Sequence, residues 1–469
     1  MANHVTDMTH GGIIRQLIRF SIPLMLGNLF QLSYNMVDTI VIGRFAGSAS
    51  LAAVGTCDQI MTLLILGVSG VCVGASVLMG NFFGAGDREN LQEEVRTTVT
   101  MGLIFALAVM AAGIPLSGTI FRLMHVQPEA LADANTYLRV IFLSMPFTSL
   151  YNIYAAALRS IGDSRTPVRY LVISCIINMV MDLALVAGFG MGVLGAALAT
   201  ALAQGISAVL CIRYAVRNVP ELCFPWRRLG INRTLAGKTL SYGVFTALQQ
   251  CSQPIGNIII QGSVNTLGVA TAAAFSAVRK IEDIGLLPGR SISVAMTAFL
   301  AQNEGAGDHS RSDEGYRKGM LLEIMAGICV CAIVLLLRAP LMSLFSTDGA
   351  IVAAGIQYFD IIGFFYWLPS LTNGLQGGYR GFGTMRASLL GSLTQISVRV
   401  AVTLLTVNTM GITGVGLACV CGWSAMLIWG LPWLYRYRRK VRKKKRDKEP
   451  SLSLRRGSFA CRERFGPKE

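Results

Sequence analysis

The sequence predicts an all-α integral membrane protein with twelve transmembrane helices, and three observations carry this prediction. The chain has 469 residues, of which 53% are hydrophobic and only 14% are charged, with a mean hydropathy of +0.55. A soluble domain carries closer to a quarter charged residues. Apolar runs recur along the whole chain, each long enough to cross a bilayer as one helix. A pattern of polar residues also repeats at a fixed distance, which indicates two copies of one unit.

The predicted spans follow one another through short polar connections. The eighth span is the least regular, because Arg279, Lys280, Glu282, Asp283 and Arg290 interrupt it. The first span is not followed by a small-residue cleavage site, so we expect no cleavable signal peptide. The spans lie near 17–42, 52–82, 97–119, 135–158, 168–189, 192–214, 239–262, 270–300, 319–338, 351–375, 388–408 and 412–435.

Spans one to six and seven to twelve are copies of each other. The tetrapeptide GAGD occurs at 84–87 and again at 305–308, which is 221 residues later. Because six is an even number, both halves enter the membrane in the same direction. We therefore expect two six-helix lobes related by a pseudo-twofold axis along the membrane normal. The other residues that match at this offset are Arg96 and Arg317, Tyr137 and Tyr358, Asn152 and Asn373, Arg159 and Arg380, Gly162 and Gly383, and Arg165 and Arg386.

The repeat divides the chain into five predicted parts. A linker with Pro220, Pro225 and several basic residues separates the two copies. The parts are a cytoplasmic N-terminus (1–16), an N-lobe with the first six spans (17–216), a cytoplasmic inter-lobe linker (217–238), a C-lobe with the last six spans (239–437) and a basic cytoplasmic tail (438–469).

The net charge of +16 is distributed unevenly between the two sides of the membrane. Most loop arginines and lysines fall on the side of the termini, whereas the opposite side holds Arg44, Arg122 and little more. This positive-inside bias predicts a plasma-membrane protein with both termini in the cytoplasm. It also accounts for the basic charge without a nucleic-acid partner. We expect the basic tail to be solvated, with contact to anionic lipid as the alternative.

The sequence contains no motif of a metal site or of nucleotide hydrolysis. The close cysteine pairs 329/331 and 419/421 lack the spacing and the histidines of a zinc site. No GxxxxGK[ST] sequence occurs, which argues against an ATP-driven pump. All four histidines lie outside the predicted spans. We therefore expect a protein that is not an enzyme and has no cofactor, and in which carboxylates carry any transported protons.

Asp38 is a carboxylate inside the first apolar span. A charge at the centre of a membrane helix costs on the order of 3 kcal/mol, so such an acid is a candidate functional residue. Gln31, Tyr34 or Asn35, and Asp38 follow one another at steps of three and four residues, which places them on one face of a helix. The first span therefore carries a polar stripe that ends in an acid.

The fifth span carries a second stripe of the same kind, formed by Ser174, Asn178 and Asp182. Thr200 in the sixth span and Asn152 in the fourth add polar groups to the same lobe. Two facing carboxylates in apolar surroundings need a proton on one of them or a hard cation such as Na⁺ among their oxygens. The sequence leaves both options open.

The second copy does not preserve these acids. At the repeat offset Asp182 corresponds to Thr403 and Asn178 to Arg399, while Asp38 falls near an isoleucine of the seventh span. Polarity that served only to join helices would be expected in both copies. We therefore interpret the acids as a cation or proton site confined to the N-lobe, rather than as packing groups.

The C-lobe offers a neutral polar stripe and buried arginines as candidates for a substrate cleft. The stripe consists of Gln249, Gln253 and Asn257 in the seventh span, together with Gln250. Arg290 and Arg399 lie deep in their spans, and we expect them to pair with backbone carbonyls or with an acid across the lobe. The charges of span eight are expected to pair locally, with a place in the cleft as the alternative.

Several of these stretches resemble one known family. GNFFGAGD after the second span, LRSIGDSRTP after the fourth and GMGVLGAALAT before and within the sixth are similar to the multidrug and toxic compound extrusion (MATE) family, with the DinF-like branch as the nearer match. The resemblance covers about residues 10 to 437 and implies a cation-coupled antiporter that exports organic, often cationic compounds. It implies a coupling site at Tyr34, Asp38, Asn152, Asn178, Asp182 and Thr200, with Na⁺ ligands among Asp38, Asn178, Asp182 and Thr200.

The resemblance also implies that Pro23 bends the first helix when the site is protonated. We therefore predict a secondary antiporter, monomeric among membrane lipids, that exports amphipathic cationic drugs in exchange for H⁺ or Na⁺, with H⁺ favoured by the DinF-like resemblance. The alternative is a flippase for a lipid-linked precursor, a class expected to have a more cationic cavity. A passive channel or a lipid-binding scaffold is a third option.

Overall fold

The computed structural model describes residues 5–124, 127–224 and 229–446, and in this part of the chain the regular structure is helical throughout. A π-helical turn, Leu183–Gly188, extends the fifth helix. The helices are α1 (Ile13–Phe45), α2 (Ser48–Gly84), α3 (Arg88–Leu123), α4 (Pro128–Ser160), α5 (Arg165–Asp182), α6 (Gly192–Asn218), α7 (Arg233–Asn265), α8 (Val269–Gly285), α9 (Leu287–Gly305), α10 (His309–Ser343), α11 (Gly349–Ile362), α12 (Trp367–Gly381), α13 (Met385–Met410) and α14 (Ile412–Arg446).

These helices correspond to the twelve predicted spans. Nine of the described helices are individually long and apolar enough to cross a membrane. The pairs α8–α9 and α11–α12 bend by 41° and 53° and give two more spans if each pair is counted as one. The twelfth is α7, which has 33 residues but carries the glutamine stripe that makes it less apolar. The bend between α8 and α9 falls within the charged stretch that interrupts the eighth span.

The repeated GAGD motif forms the same turn in both copies. Asp87 caps α3 by accepting a hydrogen bond from the backbone of Asn90 at 3.1 Å, and Asp308 caps α10 in the same way at 2.9 Å. Gly86 and Gly307, which precede these caps, have φ angles of +70° and +78°. Because glycine adopts a positive φ without strain, the motif ends one helix and starts the next within a few residues.

Two apolar cores underlie the two lobes, and α1 contributes to both. Val41 and Ile42 at the end of α1 pack into the core formed by α2 to α6. Leu17, Phe20 and Leu24 in its first half pack instead against C-lobe residues. The helix that carries Asp38 therefore passes from one lobe's core to the other's.

The lobes meet on the side of the membrane where α1 begins and α14 ends, which we call the terminal side. Here α2 and α9 cross so closely that a Cβ atom on Gly84 would lie 1.9 Å from the carbonyl oxygen of Gln302. A Cβ on Gly305 would lie 2.0 Å from the carbonyl oxygen of Asn81. The Gln302 amide also donates to the carbonyl of Ser160 at 2.7 Å, which ties the two lobes together. The crossing is thus a close backbone contact related by the repeat.

The first residues of the basic tail are not solvated as expected. The last helix, α14, continues past the predicted boundary at 437 to Arg446. Arg438 is 7% exposed and forms ion pairs with Glu304 at 2.6 Å and Asp313 at 2.8 Å. Arg438 is therefore part of the folded C-lobe, because its two acidic partners compensate its burial. Residues 447–469, together with Pro225 of the linker, lie outside the described residues.

Candidate functional site

The two predicted acids of the N-lobe lie side by side. The carboxyl groups of Asp38 on α1 and Asp182, the last residue of α5, lie within hydrogen-bonding reach of each other. A hydrogen bond between them requires a proton on one of the two groups, because ionised carboxylates only accept hydrogen bonds. The Oδ1 atom of each acid is buried and has no hydrogen-bond partner among the described residues. The site is thus a carboxyl pair with unused acceptor capacity.

The backbone changes its helical form directly after Asp182. The π-helical turn begins at Leu183, and Asp182 itself is fully buried at 0% exposure. Short π-helical segments inside α-helices occur frequently at functional sites. This local feature is not visible in the spacing of the polar stripe, which predicted a regular helix to residue 189.

Asn178 links Asp182 to the sixth span. With its amide oriented to satisfy its neighbours, Asn178 donates to Oδ2 of Asp182 at 3.2 Å and accepts from the backbone N–H of Thr200 at 3.2 Å. The assignment of amide nitrogen and oxygen follows from this hydrogen-bond network. Asn178 and Thr200 are both almost fully buried. The predicted contact among the fifth and sixth spans and the acid pair is therefore present.

A small cleft lies beside this network. Tyr34 lies within electrostatic range of both acids. The cleft borders the polar stripes of α1 and α5. Its polar lining residues are Gln31, Tyr34, Ser174, Asn178, Thr200 and Gln204.

Asn152 and Pro23 lie apart from the carboxyl pair. The Asn152 amide donates to the carbonyl of Thr148 in its own helix at 2.8 Å, and among the described residues it makes no recorded bond to either acid. Pro23 lies within α1, which continues as one helix from Ile13 to Phe45. Their predicted roles stay predictions.

Asp58 on α2 is a third acid near the pair, and the sequence reasoning missed it. It lies close enough to act electrostatically on Asp38 and on Tyr34, and it also acts on the buried Tyr137. Unlike Asp182, its side chain is exposed. The neighbours of Asp58 on α2 form no polar stripe, so spacing alone gave no signal.

The C-lobe holds arginines in the corresponding region. Arg279 on α8 donates to Oδ1 of Asn257 on α7 at 3.2 Å, and Arg399 on α13 donates to the same oxygen at 3.3 Å. Arg399 is only 5% exposed, and its Nε atom has no hydrogen-bond partner among the described residues. Two guanidinium groups thus share one neutral acceptor, which leaves donor capacity unused.

One acid, Glu282, lies near these arginines and is hydrogen-bonded by tyrosines. Glu282 accepts hydrogen bonds from the hydroxyl groups of Tyr358 and Tyr366, each at 3.2 Å. Its charge also acts on Arg399. Cys419 lies beside Arg399 and 3.4 Å from the Tyr358 hydroxyl. One carboxylate therefore faces two guanidinium groups, and the group of side chains has an excess of positive charge.

The expectation that the charges of span eight pair with one another is wrong for Arg279 and Glu282, whose partners lie on other helices. Only Asp283 has a partner in the same bent span, because the bend brings Arg290 to 3.1 Å from it. Arg290 thus pairs with a nearby acid rather than with one across the lobe. Arg399 has the amide oxygen of Asn257 as its hydrogen-bond acceptor, and the acid that acts on it from another helix is Glu282.

The remaining cleft candidates of the C-lobe face α13. Gln249 donates to the hydroxyl of Ser392 at 3.1 Å, and Gln253 donates to the side chain of Gln395 at 3.5 Å. Gln249 is 8% exposed. These contacts join α7 to α13 within the lobe. A role of Gln249 and Gln253 in binding a solute stays a prediction.

The two lobes, the crossing on one side and the two polar sites define a membrane transporter with an internal repeat. The MatE family model matches residues 23–184 and 246–405, which is more than half of the chain, and the protein belongs to this family. This confirms the predicted fold class of two six-helix lobes. The assignment to the DinF-like branch stays a prediction.

Known proteins similar to this chain are transporters. It is 28% identical to "Probable multidrug resistance protein YpnP" of Bacillus subtilis, over 88% of this chain and 92% of that protein. It is 25% identical to an "FAD transporter" of Shewanella oneidensis, over 72% and 75%. A solved outward-facing structure of a MATE family multidrug resistance transporter matches in fold with a TM-score of 0.87 at 23% identity, over 94% and 99%. The protein is thus a multi-pass MATE transporter and not an enzyme.

Proposed function

We propose that this transporter is a secondary antiporter that couples proton entry at Asp38 and Asp182 to the export of amphipathic organic solutes. The observation that carries the proposal is the close approach of two carboxyl groups inside the lobe, Asp182 fully buried and Asp38 partly exposed, an arrangement that one shared proton stabilises. Losing that proton would place two like charges together in apolar surroundings, where repulsion is strong. The protonation state of the pair therefore changes the energy of the lobe, which is what coupling requires.

The hydrogen bonds of Asn178 to its protein neighbours suit a proton at this site. With the amide oriented to satisfy those neighbours, its NH₂ group faces Asp182 and its oxygen faces the backbone N–H of Thr200. A Na⁺ ion among Asp38, Asn178, Asp182 and Thr200 would need oxygens directed at it, and in this orientation the amide presents a donor instead. Sodium at this site is the alternative, and it requires the amide of Asn178 to turn over.

The position of the inter-lobe crossing indicates toward which side of the membrane the transporter is closed. The lobes are in close contact on the terminal side, at Gly84 and Gly305. The positive-inside bias favours the cytoplasm of the plasma membrane for that side. In this orientation the two lobes are closed together on the cytoplasmic side. A bend of α1 at Pro23 would then accompany proton binding at Asp38.

The relatives support export of varied organic molecules. YpnP is described as a probable multidrug resistance protein, and the Shewanella relative as an FAD transporter, so the solutes of similar proteins include a large aromatic anion. The comparisons favour multidrug efflux over the flippase of a lipid-linked precursor. The proposed solute is amphipathic, and the C-lobe arginines bear on the sign of its charge.

The test is efflux of a fluorescent solute from proteoliposomes containing the purified protein. Asp38→Asn and Asp182→Asn should each abolish efflux driven by a pH gradient in the absence of sodium. Asp133→Asn is the matched control, because Asp133 is an N-lobe acid that bonds to Ser50 at 2.6 Å, away from the pair. Its efflux should stay within about twofold of the unsubstituted protein, since an amide can still accept that bond.

Two outcomes would contradict the proposal. One is undiminished efflux in both Asp38→Asn and Asp182→Asn under the pH gradient. The other is efflux that appears only with a sodium gradient at equal pH, which would replace the proton with Na⁺ at this site.

A further inference from the structure

The C-lobe of this protein contains a buried cationic group of side chains that the proton-coupling site does not use. It consists of Arg279 and Arg399, which share the amide oxygen of Asn257, and it is called the arginine pocket below. Arginine in a membrane-spanning region is costly, so two guanidinium groups with one carboxylate nearby need a further reason.

The neighbours of the arginine pocket do not balance its charge. Glu282 is the acid that acts on Arg399, and its Oε1 atom already accepts hydrogen bonds from two tyrosine hydroxyls. Lys280 is exposed, and Asp283 is occupied by Arg290. Arg399 is buried with an Nε–H that has no hydrogen-bond partner among the described residues, and the neighbouring Cys419 thiol is only a weak, neutral partner for its charge. The pocket is therefore short of one anion.

The pocket can be reached from outside the lobe. Arg279 and Asn257 are partly exposed, which gives a solute access to their polar atoms. Ile258, the neighbour of Asn257 on α7, is 69% exposed. A molecule that binds the guanidinium groups would therefore have an aliphatic side chain close by.

We propose that the arginine pocket binds the negatively charged group, a carboxylate or a phosphate, of an amphipathic solute. Two guanidinium groups suit an oxyanion because each donates along its planar edge. This proposal rests on the proposed export function, because it assumes that the bound molecule is a transported solute. It differs from the family resemblance, which led us to expect cationic drugs. A lipid phosphate has the same chemistry as a soluble carboxylate, so the test separates the two sources.

The test is equilibrium binding of two xanthene dyes to the purified full-length protein in an uncharged detergent, measured by fluorescence anisotropy. Fluorescein is an aromatic anion at pH 7.5, and rhodamine 6G is a cation with the same ring system. Arg279→Gln and Arg399→Gln should each weaken fluorescein binding by about tenfold or more, as expected for the loss of a charge-assisted contact. Rhodamine 6G affinity should stay within about twofold, since it makes no ion pair there.

Arg338→Gln is the matched control. Arg338 is a C-lobe arginine that pairs with Asp360 at 2.9 Å on a half-exposed part of the lobe. This variant should bind fluorescein like the unsubstituted protein. Arg399→Lys, which keeps the charge but loses the planar fork, should give an intermediate loss. If Arg399→Gln does not fold, the proposal is tested with Arg399→Lys and Arg279→Gln instead.

Competition identifies the source of the anion. Displacement of fluorescein by lysophosphatidylglycerol, but not by lysophosphatidylcholine, would support the pocket with a lipid-borne phosphate as occupant. Displacement by neither lipid would support it with a soluble anion. Fluorescein affinity that is unchanged in both Arg279→Gln and Arg399→Gln would overturn the proposal, as would equal weakening of both dyes.

No gradient is present in this measurement, so its result is independent of proton coupling. If Asp38→Asn retained full efflux while Arg279→Gln lost fluorescein binding, the coupling proposal would fail and the arginine pocket would stand. The opposite pattern would remove the pocket and leave the antiporter.

Discussion

The N-lobe and the C-lobe each have six spans in the same order, two of them bent in the C-lobe, and their ionisable groups at corresponding places differ. At the repeat offset of 221 residues, Asp58 of the N-lobe corresponds to Arg279, and Asn178 corresponds to Arg399. Tyr137 and Tyr358 are identical and buried. The N-lobe site brings carboxyl groups together, and the C-lobe site brings two guanidinium groups to one amide oxygen.

This difference separates what the fold needs from what the chemistry needs. The tyrosines, the glycine turns and the helix caps occur in both copies, since both copies fold in the same way. The ionisable groups differ, as they would if each lobe performed the separate task proposed for it. A cation site in one lobe and an anion site in the other would allow proton and solute to be held at separate positions in one transporter.

The largest expected effect comes from giving the N-lobe the residue of the C-lobe. Asp182→Thr introduces the threonine that occupies position 403 and removes one member of the carboxyl pair. We expect proton-driven efflux to fall to background, a loss of about 100-fold or more, because a coupling carboxylate has no substitute among neutral side chains. Efflux from proteoliposomes under a pH gradient measures this loss.

The control for Asp182→Thr is Thr403→Ser in the C-lobe. The Thr403 hydroxyl donates to the carbonyl of Arg399 at 2.8 Å, and serine can make the same bond. Efflux by Thr403→Ser should match that of the unsubstituted protein. Comparable losses in the two variants would show that the lobes do not differ at this position.

The second-largest effect is expected at the glycine crossing, where the two lobes should behave alike. Gly84→Val and Gly305→Val each add side-chain atoms where even a Cβ would lie about 2 Å from a carbonyl of the other helix. The close crossing of α2 and α9 must then open, because backbone cannot yield as a flexible side chain does. We expect efflux to fall by about tenfold or more in both variants.

Cysteine cross-linking across the terminal side would report the opening directly. The two glycine variants should show the same reduction in cross-linking, since the repeat relates the two positions. A loss in one variant only would indicate that the crossing is not symmetric in function. Gly237→Val is a suitable control, because the space around Gly237 is open.

A smaller effect is expected at Asp58. Its charge acts on Asp38 across the N-lobe site, and a charge pair near a protein surface contributes about 1 kcal/mol or a little more. Asp58→Asn should therefore slow proton-driven efflux by about fivefold, and raising the ionic strength should reduce the difference. Asp360→Asn, which affects a peripheral ion pair with Arg338, should leave the rate unchanged.

The smallest effect compares the matched tyrosines. Tyr358→Phe removes a donor to the Glu282 carboxylate and should lower the free energy of unfolding by about 1 to 2 kcal/mol. Tyr137 forms no recorded hydrogen bond with the described residues, so Tyr137→Phe should cost only a few tenths of a kcal/mol. Thermal unfolding in detergent measures both changes, and equal shifts would contradict the comparison.

Much of the fold was predictable. Membrane helices need long apolar runs, and the repeat showed which helix of one lobe corresponds to which helix of the other. The carboxyl pair was also predictable, because Asp38 and Asp182 each end a stripe of polar residues at helical spacing. Asp58 and Glu282 were not predicted as site residues, because their surroundings come from other helices. Comparing charged residues at the repeat offset would have singled out Asp58 through its match to Arg279.

The glycine crossing has a consequence for how the two copies can differ. Related by the repeat, Gly84 and Gly305 meet opposite backbones as they would in a symmetric dimer of half-length chains, where one surface contacts its own copy. In such a dimer every residue occurs twice, so an acid in one subunit is an acid in both. The carboxyl pair of one half and the arginines of the other are therefore incompatible with identical subunits. A single chain with two copies of the unit can carry a different residue at each pair of related positions, while the glycine crossing keeps the same form in both copies.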